Sequence, residues 1–111
     1  MKKLMLTCAC LVSFCTLVNA DPPKSVDIKI DQDKIEITAI HGTRNALVHY
    51  ISNIDVMVNE KKMIEQKFIR QKDTAAQSAV YLYPGLKKGD TVQAEATCNK
   101  FGSLKKEVVV E

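Results

Sequence analysis

Beyond its N-terminal 20 residues, the 111-residue sequence holds two histidines, His41 and His49, and one cysteine, Cys98. Imidazole nitrogen is a borderline donor and thiolate sulfur a soft one, so together they suit iron, copper or zinc. No compact CxxC or HExxH motif joins them, and any site they form has to be assembled by the fold. The plain alternative is that Cys98 is a small buried hydrophobe and the two histidines are unrelated to it. Met57 and Met63 could be invoked as axial ligands for copper, but methionine ordinarily fills gaps in cores.

The elements that must position these residues read as short strands. Val26, Ile28 and Ile30 alternate with Asp27 and Lys29. Asp31-Gln32-Asp33 then turns the chain, and Ile35, Ile37 and Ala39 alternate with Glu36 and Thr38, which predicts a hairpin. After a loop over 42–46, the β-branched and aromatic content of 48–58 predicts a central strand that starts near His49, with Tyr50, Ile54, Val56 and Val58 on one face. Residues 62–70 read as a strand, although Met63, Ile64, Lys67 and Phe68 would also group on a helix. A strand over 79–83 is followed by Pro84-Gly85-Leu86-Lys87-Lys88-Gly89-Asp90, a turn with two glycines able to take positive φ. Val92, Ala94, Ala96 and Cys98 share one face of the next strand, and 103–110 closes the chain. Seven strands without a convincing amphipathic helix predict an all-β, immunoglobulin-like sandwich. His41, His49 and Cys98 fall at strand ends, which cluster at the poles of such a fold. Tyr50 and Tyr81 read as core or rim aromatics, Lys87-Lys88 as a solvated tip, and Lys105-Lys106 as charges that blunt an edge strand.

The first 20 residues have the form of a signal peptide. Lys2 and Lys3 precede an uncharged, largely apolar run from Leu4 to Val18, and Val18-Asn19-Ala20 sets a cleavage point before Asp21. The apolar run is shorter than the roughly 20 residues that span a bilayer. The expected division is a signal peptide over 1–20 and one domain over 21–111, placed in the periplasm or secreted. Cys8, Cys10 and Cys15 leave with the signal, so the mature domain has Cys98 alone and forms no internal disulfide. Of 16 basic residues, 14 remain against 13 acidic ones. That near balance argues against nucleic acid or an acidic membrane as a partner.

The segment His49-Tyr50-Ile51-Ser52-Asn53-Ile54 resembles the His-Tyr-Ile-x-x-Ile run of the iron-binding domain in the desulfoferrodoxin and superoxide reductase family. Cys98-Asn99-Lys100-Phe101-Gly102 resembles that family's Cys-Asn-x-His-Gly run, His41-Gly42 stands where the family has His-Pro, and Lys24-Ser25-Val26 where it has Lys-His-Val-Pro. The resemblance covers nearly all of 21–111. It implies an immunoglobulin-like fold, a mononuclear iron held by four histidines and an axial cysteine, and one-electron reduction of superoxide. Carried over, Cys98, His41 and His49 are metal ligands and Lys24 is the lysine that attracts the anion and assists formation of hydrogen peroxide. The two remaining ligand positions hold Ser25 and Phe101, of which serine is a poor neutral ligand and phenylalanine cannot coordinate. The resemblance further implies an external electron donor and a homo-oligomer.

Three functional expectations follow. One is an exported superoxide reductase-like iron protein with an incomplete ligand set. Another is a non-catalytic binding module that holds no metal, with the Phe101 ring turned into the former site. The third is a His₂Cys protein for copper or zinc.

Overall fold

The computed structural model describes residues 22–111, and the signal peptide expected over 1–20 lies outside the described residues. Seven strands follow in order: β1 (Ser25–Asp31), β2 (Lys34–Ile40), β3 (Ile51–Val58), β4 (Lys61–Lys67), β5 (Ala76–Leu82), β6 (Thr91–Cys98) and β7 (Ser103–Val109). They form a three-stranded sheet, β1-β2-β5, and a four-stranded sheet, β4-β3-β6-β7. Every pairing is antiparallel, and the result is an all-β sandwich, as the alternating pattern predicts.

The period of two in the sequence fixes which side chains meet between the sheets. Val26 and Ile28 of β1 and Ile35, Ile37 and Ala39 of β2 are buried, while Asp27 and Lys29 face solvent. From the other sheet come Ile54, Val56 and Val58 of β3 and Val92, Ala94 and Ala96 of β6. Burying each large aliphatic side chain contributes about 1.5–3 kcal/mol. The hairpin between β1 and β2 closes through Gln32-Asp33, with Asp31 opposite Lys34 and Gln32 at a φ of 57°. Gly85 and Gly89 both take positive φ in the turn before β6.

The 62–70 segment is resolved in favour of a strand. Ile64, Gln66 and Phe68 are half-buried and alternate with exposed Glu65 and Lys67, so the helical grouping is not used. Met63 is the extra residue where the β3–β4 pairing slips, and it is exposed. Both edges of the larger sheet carry lysines, Lys61, Lys62 and Lys67 on β4 and Lys105 and Lys106 on β7. Such charges discourage pairing with another chain's strand.

The central strand departs from expectation. It begins at Ile51, and residues 46–48 form a turn instead. Asn45 organises that turn: its side chain accepts from Leu47 N–H, and its carbonyl accepts from the N–H groups of Val48 and His49. Tyr50 therefore lies outside β3. In the pairing of β3 with β6, Ile51 faces Cys98 while Asn53 faces Thr97, leaving Ser52 as an added residue. Strict alternation from Ile54 would turn Ser52 inward and Ile51 outward, but the bulge buries Ile51 completely.

Candidate metal centre

The pole where β2 and β6 end and β3 begins gathers the three residues whose chemistry stands out in the sequence. His41 directly follows β2 and is 1% exposed, His49 precedes β3 by two residues and is half-buried, and Cys98 is the last residue of β6 at 4%. One nitrogen from each histidine and the cysteine sulfur lie within 4.8 Å of one another. His49 Nε2 is 3.2 Å from Cys98 Sγ. The two imidazoles meet edge to face, with ring centroids 4.8 Å apart and planes at 90°.

The bulge at Ser52 positions His49. By bringing Ile51 opposite Cys98, it sets Tyr50 beside Asn99, and a two-way lock joins them. Tyr50 N–H donates to Asn99 Oδ1 at 2.9 Å, and Asn99 N–H donates to Tyr50 O at 2.9 Å. Asn99 also donates through Nδ2 to Val48 O at 3.0 Å. The residues on either side of His49 are thus tied to the residue after Cys98.

Cys98 is held by the loop that follows it. Its N–H donates to Gly102 O at 2.9 Å, and Lys100 N–H points at its sulfur from 3.3 Å. Gly102 has a φ of +87°, and a Cβ there would lie 2.7 Å from Pro22 Cβ. Only glycine lets the Cys98 loop and the start of the described chain approach so closely.

His41 is supported by the segment between β4 and β5. Its backbone N–H donates to Ala75 O at 2.9 Å. Its Nδ1 lies 2.8 Å from Oε1 of Gln71, a buried residue that sequence patterning does not single out. Gln71 sits in Arg70-Gln71-Lys72-Asp73, which has the composition of an exposed loop. Asp73 stiffens that loop. Its carboxylate accepts from Lys72 Nζ and from the N–H groups of Ala75 and Ala76, which hold its pKa at about 2.

The other residues singled out in the sequence are not members of this group. Lys24 is exposed, but its backbone N–H bonds Ile40 O at 2.7 Å, next to His41 in the chain. Ser25 is the exposed first residue of β1, opposite Ile40. Phe101 is 61% exposed, so its ring does not fill the space between the histidines and Cys98. Met57 lies six residues along β3 from Ile51, about 20 Å at strand rise. It supplies no axial ligand to this pole, and neither does Met63, which sits on the edge strand β4 at the level between Val56 and Met57.

No protein-family model matches the sequence, and no curated protein does. Solved structures do. A superoxide reductase (1Fe-SOR) from Giardia intestinalis superposes with a TM-score of 0.63 at 17% identity, covering 81% of this chain and 100% of its own. A hypothetical protein from Pyrococcus horikoshii OT3 gives 0.54 at 22% identity, covering 82% of this chain and 88% of its own. A single-residue variant of a superoxide reductase (neelaredoxin) from Ignicoccus hospitalis gives 0.51 at 16%, covering 81% and 82%. The chain therefore has a superoxide reductase-like fold, with a His, His, Cys group at one pole.

Proposed function

We propose that this is an exported, superoxide reductase-like metal protein that holds a single ion, iron in the first instance, through His41, His49 and the Cys98 thiolate. The observation that carries this reading is the convergence of three ligand atoms within 4.8 Å, contributed by residues 8 and 49 positions apart along the chain.

The His49–Cys98 pair already has the spacing of two ligands on one ion, while the widest separation in the group, 4.8 Å, has to contract on binding, because ligands on opposite sides of one ion stand at most about 4.4 Å apart. With metal–nitrogen near 2.0–2.1 Å and metal–sulfur near 2.3 Å, a nitrogen and a sulfur on one ion stand about 3.1 Å apart at a right angle and about 3.6 Å at the tetrahedral angle. The 3.2 Å between His49 Nε2 and Cys98 Sγ falls in that interval. Lys100 N–H supplies the sulfur with a hydrogen-bond donor of the kind a charged thiolate accepts well. Three protein ligands leave open positions, the usual arrangement where a metal acts on a substrate.

Ferrous iron, when bound, would supply the electron that takes superoxide towards peroxide. The chain's own part is to hold the ligand atoms, to attract the anion with the Lys24 ammonium, and to keep the cysteine sulfur away from bulk solvent. An electron donor outside this chain has to restore the reduced state. Ser25 and Phe101 contribute no nitrogen, so the site is expected to bind iron more weakly than a complete set of four histidines and a cysteine. A His₂Cys set is equally suited to Zn(II) or Cu(I). The Phe101 side chain stands in solvent, so its ring does not occupy the space a metal would take; a metal-free binding module remains the alternative that metal content decides.

The test is metal content of protein produced from the full sequence in an exporting host, purified anaerobically and exposed separately to Fe(II), Cu(I) and Zn(II). Stoichiometric iron in the native protein, absent from Cys98→Ala, supports the reading and calls for a superoxide assay. Zinc or copper without iron retains the metal centre and refutes the superoxide chemistry. Binding of none of the three metals refutes the centre, and iron uptake by a Ser25→His, Phe101→His variant would then identify the missing ligands as the cause. Intact mass beginning at Asp21 tests the export reading.

A further inference from the structure

Gln71 is 2% exposed and uses its whole side-chain amide. Oε1 accepts from Ile51 N–H at 3.0 Å and lies 2.8 Å from His41 Nδ1. Nε2 donates to His41 O at 2.8 Å and to Asp73 O at 2.9 Å. Three of these four partners have no choice of role. A backbone N–H can only donate, so the atom facing Ile51 has to be oxygen. Carbonyl oxygens can only accept, so the atom facing His41 O and Asp73 O has to be nitrogen. Exchanging the two ends of the amide would break all three bonds, which fixes its orientation without ambiguity.

The fourth partner then follows. His41 Nδ1 faces an oxygen that only accepts, so it carries the hydrogen, and in a neutral imidazole the lone pair is left on Nε2. We infer that Gln71 is a positioning residue, which holds His41 in its Nδ1–H form and presents Nε2 as the nitrogen for the metal. The same amide grips the His41 backbone through its carbonyl and ties it to the first residue of β3, two residues beyond His49. One buried side chain thereby sets the protonation pattern of one histidine and its spacing from the other. The tautomer assignment stands by itself, while its consequence for metal affinity rests on the metal-centre reading above.

The experiment is long-range ¹H–¹⁵N correlation NMR on metal-free, ¹⁵N-labelled protein produced from the full sequence, with a His49→Gln variant to assign the two rings. Zinc affinity is measured in parallel by competition with a chromophoric chelator. The expected native spectrum has a pyrrole-type His41 Nδ1 and a pyridine-type Nε2. Gln71→Met matches the length of the side chain and removes both ends of the amide. In that variant His41 is expected to move towards the Nε2–H form, and zinc affinity to fall about 10- to 100-fold, the usual cost of losing such an outer partner. A native His41 that carries its hydrogen on Nε2 overturns the inference, and this result needs no variant to fold. An unchanged tautomer or unchanged zinc affinity in Gln71→Met overturns the positioning role. A native Nδ1–H ring in a protein that binds no zinc supports the tautomer assignment and counts against the metal centre instead.

Discussion

Gly102→Ala tests how the Cys98 loop is held, and its effect can be worked out from two separate terms. At a φ of +87° an L-side chain costs about 1–2 kcal/mol relative to glycine. The added Cβ would also stand 2.7 Å from Pro22 Cβ. Reaching ordinary contact requires a displacement of roughly 0.7 Å, for about 1 kcal/mol of overpacking. Together the terms predict a loss of about 2–3 kcal/mol, a shift of about 2–3 M in the urea midpoint if the slope is near 1 kcal/mol/M. Pro22→Gly separates them, because it removes the Cβ and Cγ that the new methyl meets. In that background Gly102→Ala should cost the conformational term and only the milder 3.3 Å approach to the residue-22 Cα, which gives a coupling of up to about 1 kcal/mol in a double-mutant cycle. A Gly102→Ala protein within about 0.5 kcal/mol of the native one would refute the strain argument. A cycle with no coupling would refute the packing of Pro22 on this loop. Since Gly102 O accepts the Cys98 N–H, the variant should also weaken metal binding.

Other outcomes are expected from the same structure. Cys98→Ala should abolish metal binding while costing only about 1 kcal/mol of stability, as for a small buried side chain; metal analysis and urea titration check both, and retained metal would contradict the ligand role. Asp73, held at about 2 by Lys72 first and then by the Ala75 and Ala76 N–H groups, ionises more readily when folded than at its ordinary 3.8. Its contribution is present above the unfolded value and is lost as pH falls through the folded one. Asp90 is lowered in the same direction by Lys87 N–H and Asn59. Urea midpoints of Asp73→Asn should therefore fall less steeply than native between pH 5 and 2, and parallel curves would refute this. Tyr81 is pushed up to about 12 by burial and then by the Asp55 charge, and its hydroxyl donates to Gln66 Oε1 at 2.7 Å. Its share of stability is present below about pH 10 and is lost as pH rises towards 12, so Tyr81→Phe should lack that part of the alkaline slope.

Alternation of apolar and polar residues was sufficient to determine most of the fold. In β1, β2 and β6 a period of two decides which face is buried, because a strand has only two faces and water accepts just one of them. Cys98 is placed inward by the same rule, in step with Val92, Ala94 and Ala96. Residue type alone marks His41, His49 and Cys98 as the chemically distinctive side chains, and their positions at strand ends are compatible with a common pole.

Tertiary structure decided whether they meet, and how. The bulge at Ser52 has no signature in a single strand, because it exists only as a mismatch between β3 and β6. It reverses the phase expected from Ile54, buries Ile51 and leaves Tyr50 outside the strand. Phe101 has the composition of a core residue but stands in solvent, because it belongs to the loop after β6. Gln71 has the composition of a surface residue, and its neighbours Arg70, Lys72 and Asp73 are indeed exposed. Three of its four side-chain partners lie on two distant segments, at His41 and Ile51, which local sequence cannot register because a hydrogen bond between distant residues leaves no periodic trace in either of them.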